Sequence, residues 1–181
     1  MQKGKAMKAR VLYVDDNPDD AVLVELAFRK AGVNARLETA ADVSRAKSIL
    51  STRSRVPACV LLDLKLGSVS GFDLLAWIRK QPGLASLPVV VLTSSLLPGD
   101  VTRAYALGAN SFLTKPPDLE ALIGLVKVIE MHWLQDTAPL PGTPGVMPAL
   151  AGTDSLGSFH LDTANVGPGP SSSLMGKRGA S

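Results

Sequence analysis

The chain has 181 residues, 46% of them hydrophobic, and this length allows one ordinary domain with its own core and an appended segment. Its formal net charge of +3 comes from a small excess in residues 1–137, where 17 Lys and Arg face 14 Asp and Glu, so no nucleic-acid partner is indicated. The single cysteine, Cys59, excludes an intramolecular disulfide. The apolar run after the cationic N-terminus is too short for a signal peptide or a membrane span. We therefore expect a cytoplasmic protein with no membrane partner.

Five predicted strands alternate along the chain with five stretches of helical periodicity, and the second strand, residues 35–40, alternates in polarity as a half-exposed edge strand does. The first helix has Asn17 as its N-cap, Pro18 in its first turn and Gly32 at its end. Its predicted core face consists of Val22, Leu23, Leu26, Ala27 and Ala31. Strands are predicted at residues 11–14, 35–40, 57–62, 88–93 and 110–114, and helices at residues 18–31, 42–52, 72–80, 98–107 and 118–135.

Five repeated strand–helix units predict an α/β domain in which helices cover both faces of a parallel sheet. This domain is expected to span residues 9–136, after a flexible N-terminus of residues 1–8. Residues 138–181 contain 14 Gly or Pro among 44 residues, with few charges. We therefore expect a disordered tail over residues 137–181.

Polar side chains lie at the ends of four predicted strands. They are Asp15, Asp16, Asp63, Thr93 and Lys115. Because the carboxyl ends of parallel strands share one edge, these side chains are expected to converge. Three carboxylates repel one another unless a cation lies among them, and Mg²⁺ accepts such ligands while leaving room for a phosphoryl oxygen. Lys115 and Thr93 would then supply a positive charge and a hydroxyl donor to a transferring phosphoryl group.

Asp63 closes the apolar run of the third strand. A lone aspartate after a buried strand can simply cap the following loop. Beside the other polar strand ends it has a second interpretation, as a nucleophile that forms an aspartyl phosphate.

Together these residues resemble the receiver domain of two-component response regulators. They match the family's acidic pair (Asp15 and Asp16), phospho-acceptor (Asp63), switch hydroxyl (Thr93), switch aromatic (Phe112) and Lys-Pro pair (Lys115 and Pro116). The resemblance covers about residues 9–135. It implies a doubly wound, flavodoxin-like sheet of five parallel strands in the order 2-1-3-4-5.

The resemblance also implies a Mg²⁺ site. Carried over by position, Asp16 would bind the ion directly, Asp15 largely through water, and Asp63 through one carboxylate oxygen. The backbone carbonyl of Lys65 would be a further ligand. Lys115 would pair first with Asp63 and then with the phosphoryl group.

Two details of the loops bear on the resemblance. The family leads us to expect a cis peptide bond between Lys115 and Pro116. One departure is visible, since Gly67 stands where the family usually has a proline, whereas the later Gly71 is kept.

Several further segments resemble small single-domain regulators that serve phytochrome-type histidine kinases. They are Asp-Asn-Pro-Asp-Asp after the first strand, Val-Leu-Thr-Ser-Ser at the fourth, Lys-Pro-Pro-Asp-Leu at the fifth, and Met-His-Trp-Leu at residues 131–134. This implies a sensor histidine kinase as the partner. Since no DNA-binding domain follows the receiver region in this sequence, we expect output through protein contacts or phosphorelay.

Phosphorylation of Asp63 would add roughly two negative charges. Thr93 would then donate to a phosphoryl oxygen, and Phe112 would rotate into the vacated space, which rearranges the face formed by residues 98–107, 110–113 and 118–135. The last helix has a second uncharged strip beside its core stripe, which is either a homodimer face or part of a wide core-facing stripe. This strip consists of Ala121, Leu125, Val128 and His132.

Two positions bear on how long the phosphoryl group would remain. In the family, the places of Lys65 and Ser95 flank the path of the hydrolytic water. A long cation at Lys65 would either crowd that water or hold the phosphoryl oxygens, so we expect a long-lived phosphoryl state.

Two other functions remain open at this stage. A haloacid-dehalogenase-like phosphohydrolase also uses a strand-end aspartate and Mg²⁺, but it needs a second aspartate where this chain has Lys65. A receiver-like interaction module could work without phosphate, although the intact set of polar strand ends argues against it.

Overall fold

The computed structural model describes residues 8–52, 56–134, 150–153 and 159–161. Its main sheet has five parallel strands, β1 (Ala9–Val14), β2 (Ala35–Ala40), β3 (Cys59–Leu62), β4 (Val89–Thr93) and β5 (Ser111–Thr114). They are arranged in the order β2-β1-β3-β4-β5, which confirms the predicted doubly wound fold.

One α-helix follows each strand: α1 (Pro18–Ala31), α2 (Val43–Leu50), α3 (Gly71–Lys80), α4 (Pro98–Ala106) and α5 (Leu119–Ile129). The last of them, α5, continues as a π-helix at Glu130–Leu134. Capping residues set the ends of α1. The Asn17 side chain accepts a hydrogen bond from the Asp19 N–H at 3.0 Å, and Gly32 ends the helix at φ +70°. Asp42 caps α2 in the same way, so that α2 begins one residue later than predicted.

The sheet separates two hydrophobic clusters. On one face, α1 and α5 pack against side chains that include Tyr13 and Leu61. On the other face, α2, α3 and α4 pack over side chains that include Leu12 and Leu62. Because successive side chains of a strand point to opposite faces and both faces are covered, the central strands are continuous apolar runs in the sequence.

The core-facing side of α1 differs from the prediction. Val24, Ala27 and Phe28 are buried, whereas Val22 and Leu23 are 64% and 43% exposed. With 3.6 residues per turn, Val22 lies roughly 160° around the helix from Val24. The apolar residues of α1 therefore allow more than one rotation of the helix, and packing against the sheet and α5 selects the one that buries Phe28.

The second uncharged strip on α5 was left with two interpretations, and the structure bears on both. Leu125 is buried in the same cluster as Leu122 and Val126, because α5 packs against α1 as well as against the sheet. Ala121 and Val128 are half-buried and His132 is exposed. A wide core-facing stripe therefore accounts for Leu125, and the homodimer face stays a prediction.

The segments outside the main sheet contain two short antiparallel strand pairs. Lys65–Leu66 pairs with Val69–Ser70 in the connection after β3, where a loop was predicted. Leu150–Thr153 pairs with Phe159–Leu161 within the segment that was predicted to be disordered. The rest of that segment from residue 135 onward, and residues 1–7 of the predicted flexible N-terminus, lie outside the described residues. Within the described ranges, no helix has the length and apolar character needed to cross a membrane.

Candidate functional site

Two buried carboxylates meet at the carboxyl edge of the sheet, Asp15 directly after β1 and Asp63 directly after β3. The sheet's hydrogen bonding continues through both residues, since Asp63 N donates to the Val14 carbonyl and Asp15 N to the Ala40 carbonyl, each at 3.0 Å. Only 4% of Asp15 and 6% of Asp63 is exposed. Two neighbouring buried carboxylates need a compensating positive charge.

Lys115 supplies this charge from the end of β5. Its backbone N–H donates to the Thr93 carbonyl at 2.8 Å. Its ammonium Nζ donates to three carboxylates, Asp15 Oδ2 at 2.5 Å, Asp20 Oδ2 at 2.7 Å and Asp63 Oδ2 at 2.8 Å. Burial alone would lower the pKa of Lys115, but the hydrogen bonds to the three carboxylates outweigh it and raise the pKa above its ordinary value. Lys115 is therefore a permanent positive charge at the centre of the site.

Asp15 has two further hydrogen-bond donors. The Tyr13 hydroxyl donates to Asp15 Oδ2, and the Asn17 backbone N–H donates to Asp15 Oδ1 at 2.9 Å. Burial raises the pKa of the Tyr13 hydroxyl above its ordinary value, and the hydrogen bond to Asp15 raises it further. The phenol therefore stays protonated and remains a donor.

The backbone around Asp63 is tightly packed. Asp63 Oδ1 accepts a hydrogen bond from the Lys65 N–H at 3.2 Å, while the Lys65 side chain is exposed. A Cβ at Gly71 would lie 2.1 Å from the Asp63 carbonyl oxygen, and Gly71 N donates to the Leu64 carbonyl at 2.9 Å. Only glycine fits at position 71, which explains why the loop keeps a glycine there.

The predicted metal ligands are only partly gathered. Asp15 and Asp63 both contact Lys115, whereas Asp16 is exposed and its Oδ2 lies 3.7 Å from where a Cβ would stand at Gly67. Across the described part of the chain, no group of three or more acidic, histidine or cysteine side chains is arranged to hold a metal ion. The chemistry of the donor set nevertheless fits Mg²⁺, because this edge brings three carboxylates to one ammonium group and carboxylate oxygens are the ligands of a hard cation.

The two predicted switch residues lie on neighbouring strands. Thr93 ends β4 and is fully buried, and its Oγ1 accepts a hydrogen bond from Ser95 N at 3.3 Å. Ser95 Oγ in turn donates to Asp100 Oδ2 at 2.5 Å, which ties the loop after β4 to the first turn of α4. Phe112 in β5 is buried in the cluster with α2, α3 and α4.

One loop expectation is corrected. The Lys115–Pro116 bond was expected to be cis, but none of the described peptide bonds is cis. The trans isomer is the intrinsically favoured one before proline, by about 0.5–1 kcal/mol. Gly67 has φ +59°, which a proline ring cannot adopt, so this loop conformation requires a residue other than proline at position 67.

The sequence interpretation missed two residues of the site. Asp20 and Tyr13 were not among the predicted site residues, since they lie in the first predicted helix and the first predicted strand. The folded chain directs both toward the same edge, where they contact Lys115 and Asp15 respectively. The sequence does carry one signal for Asp20. It lies in the first turn of the helix that follows β1, and this helix begins at the carboxyl edge of the sheet.

Comparison with known proteins identifies similar regulatory proteins. A family model described as the response regulator receiver domain matches residues 11–127. The probable methanogenesis regulatory protein FilR2 of Methanothrix harundinacea is 38% identical over 128 residues, which cover 68% of this chain and 83% of FilR2. The response regulator Rcp1 of Synechocystis is 35% identical over 136 residues, which cover 72% of this chain and 92% of Rcp1.

Solved structures show the same similarity. The crystal structure of the Mn²⁺-bound form of Rcp1 has a TM-score of 0.64 and 34% identity, and the match covers 74% of this chain and 99% of that one. The phosphorylated cyanobacterial phytochrome response regulator RcpA has a TM-score of 0.66 and 34% identity, over 75% of this chain and 99% of that one.

Proposed function

Because this chain belongs to the response regulator receiver family, we propose that it accepts a phosphoryl group on Asp63 from a histidine kinase and transmits this state through protein contacts or phosphorelay. One observation supports Asp63 above all. Its Oδ2 lies at the carboxyl edge of the central strand, 2.8 Å from the ammonium group of Lys115, which also binds Asp15. An aspartate that only capped a loop would not need this buried cation.

In the proposed reaction, a carboxylate oxygen of Asp63 attacks the phosphorus atom of a phosphohistidine. The P–N bond breaks, its electron pair leaves with the imidazole, and the new P–O bond makes an acyl phosphate. Lys115 stabilises the negative charge of the phosphoryl oxygens from its position beside Asp63. We assign Thr93 as the second donor, since its hydroxyl lies at the end of the adjacent strand.

We assign Asp15, Asp16, Asp63 and the Lys65 carbonyl as the residues that would hold Mg²⁺. When bound, the ion supplies positive charge to the carboxylates and to the phosphoryl oxygens. Asp15 and Asp63 already share one cation, the ammonium group of Lys115. The Mn²⁺-bound structure of the similar protein Rcp1 supports a divalent ion in this family.

We assign Thr93 and Phe112 to the read-out of the phosphoryl state. Thr93 is already next to the loop that joins β4 to α4, and Phe112 packs in the cluster that contains α4. Movement of the Thr93 hydroxyl toward the phosphoryl group would therefore be transmitted to α4 and β5. An acyl-phosphate mimic such as beryllofluoride should change the amide NMR shifts of α4, β5 and α5, and unchanged shifts would contradict this read-out.

A phytochrome-type histidine kinase is the partner we propose. RcpA is a phytochrome response regulator by name, and RcpA and Rcp1 are both similar to this chain over 99% of their solved structures. Phosphotransfer to this protein from a purified phytochrome-type kinase should be faster than from an unrelated histidine kinase. Equal rates would reject the phytochrome assignment and leave the acceptor role intact.

The acceptor role itself is tested by incubation with acetyl phosphate and Mg²⁺, followed by intact mass measurement. Wild type should gain one phosphoryl group, and Asp63→Asn should gain none. Asp73→Asn makes the same change at an exposed aspartate on α3 and should behave as wild type. Absence of phosphate on the wild type would favour the interaction module, and multiple turnover of phosphate esters would favour the phosphohydrolase.

A further inference from the structure

Lys115 has three carboxylate partners, and Asp20 is the one that takes no part in the proposed phosphoryl transfer or metal binding. Asp63 would accept the phosphoryl group and Asp15 would bind the metal ion, so both would change their contacts during the reaction. We propose that Asp20 is a positioning residue that keeps the Lys115 ammonium group beside Asp63 throughout phosphorylation, a role that rests on the proposed function of Asp63.

The hydrogen bonds of Lys115 show why such a residue is needed. An ammonium group has three hydrogens, and the three carboxylates at 2.5, 2.7 and 2.8 Å accept one each. The lysine side chain is a flexible four-carbon stem that does not fix its own charge in space. If Asp15 and Asp63 turn to other partners, Asp20 is the acceptor that still defines where the charge lies.

Asp20 is well placed for this role because it belongs to a regular element. It lies in the first turn of α1, whose start is fixed by the Asn17 cap and by Pro18. The helix is packed on the sheet through Val24, Ala27 and Phe28. A carboxylate on such a rigid support can position a neighbouring group more accurately than one on a loop.

The negative charge of Asp20 would also repel the phosphoryl group. This repulsion would slow phosphorylation, whereas the positioning of Lys115 would speed it. The side chain of Asp20 is 29% exposed, whereas that of Lys115 is 10% exposed. Water therefore screens part of the repulsion, while the hydrogen bond to the largely buried ammonium group is retained. We conclude that positioning is the stronger effect and that loss of Asp20 slows phosphorylation.

The experiment compares Asp20→Ala and Asp20→Asn with wild type, using the rate of phosphorylation by acetyl phosphate and Mg²⁺. Asp20→Ala should be about tenfold slower, which corresponds to one lost charge-assisted hydrogen bond. Asp20→Asn keeps an acceptor oxygen and should be only about threefold slower. Asp19→Asn is the matched control, because it removes the same charge from the same helical turn at an exposed side chain, and it should match wild type.

A second measurement observes Lys115 directly and does not depend on phosphate. In ¹⁵N NMR spectra that detect lysine ammonium groups, the Lys115 signal should be visible in wild type and in Asp19→Asn, and lost to exchange with water in Asp20→Ala. Thermal unfolding confirms that each variant is folded.

The outcomes separate the two proposals. An Asp20→Ala protein that is phosphorylated as fast as wild type or faster, or whose Lys115 signal is unchanged, overturns the positioning role. A wild type that takes up no phosphate rejects the acceptor role of Asp63, and the ammonium signal then still decides whether Asp20 fixes Lys115.

Discussion

Arg79 on α3 joins three segments at the amino-terminal end of the sheet, and we predict that Arg79→Met destabilises the fold. Its Nε donates to the Gly108 carbonyl at 2.9 Å, Nη1 to the Leu87 carbonyl at 2.8 Å and Nη2 to Asn110 Oδ1 at 2.8 Å. Methionine keeps much of the aliphatic length but has no donor. The variant therefore loses all three hydrogen bonds without a large change in packing.

The size of the effect follows from which acceptors are left without a partner. Asn110 Oδ1 still accepts from Val89 N at 2.8 Å, so only the Gly108 and Leu87 carbonyls lose the donor that Arg79 provides. Burial lowers the pKa of Arg79, which reflects the cost of removing the guanidinium from water, and that cost disappears in the variant. At about 1–1.5 kcal/mol for each of the two carbonyls that lose their Arg79 donor, the free energy of unfolding should fall by about 2–3 kcal/mol.

Urea and thermal unfolding followed by circular dichroism measure this change. For a domain of this size the Tm should fall by about 6–12 °C. Lys80→Met is the matched control, because Lys80 is the exposed next residue in the same last turn of α3. It should change the free energy of unfolding by less than about 0.5 kcal/mol. Equal effects of the two substitutions would refute the reasoning.

Three further predictions concern other parts of the molecule. Gly71→Ala should lower stability by more than about 3 kcal/mol, because its Cβ would stand 2.1 Å from the Asp63 carbonyl oxygen, whereas Gly83→Ala, with open space around it, should be nearly neutral in urea titrations. Burial raises the pKa of the Cys59 thiol from 9.0 to about 12. The unfolded chain therefore loses this proton first, so the free energy of unfolding should fall as the pH rises from about 9 to 12, with a smaller slope in Cys59→Ala. If Lys65 shields the acyl phosphate from water, Lys65→Asn should lose its phosphoryl group several-fold faster in intact mass time courses, and an unchanged rate would count against that role.

The sequence predicted the fold well because the deciding signals are local. Each central strand is buried on both faces, so it appears as an uninterrupted apolar run, such as residues 89–92. Gly32 and the Asn17 cap mark the ends of α1 through their own chemistry. The gathering of Asp15, Asp63 and Lys115 also followed from the sequence, since a parallel sheet brings its carboxyl ends to one edge.

Features that depend on tertiary contacts were harder to predict. Spacing alone did not show that α1 turns Val22 and Leu23 to the solvent, because its apolar residues extend around most of the helix. The contact of Asp20 with Lys115 joins residues 95 positions apart, and no local pattern indicates it. The sequence left open whether Leu125 belongs to a homodimer face or to a wide core-facing stripe, because its burial depends on the packing of α5 against α1.

The division of the core by the sheet has a consequence for how this protein tolerates sequence change. Phe112 and Leu113 are adjacent in β5, yet they belong to opposite clusters, one with α4 and the other with α1 and α5. Substitutions more than about 7–10 Å apart that share no partner usually contribute additively to stability. Mutations in the cluster that contains α1 and α5 should therefore leave the energetic effect of mutations in the cluster that contains α4 unchanged. The two faces of the domain can then diverge independently during evolution.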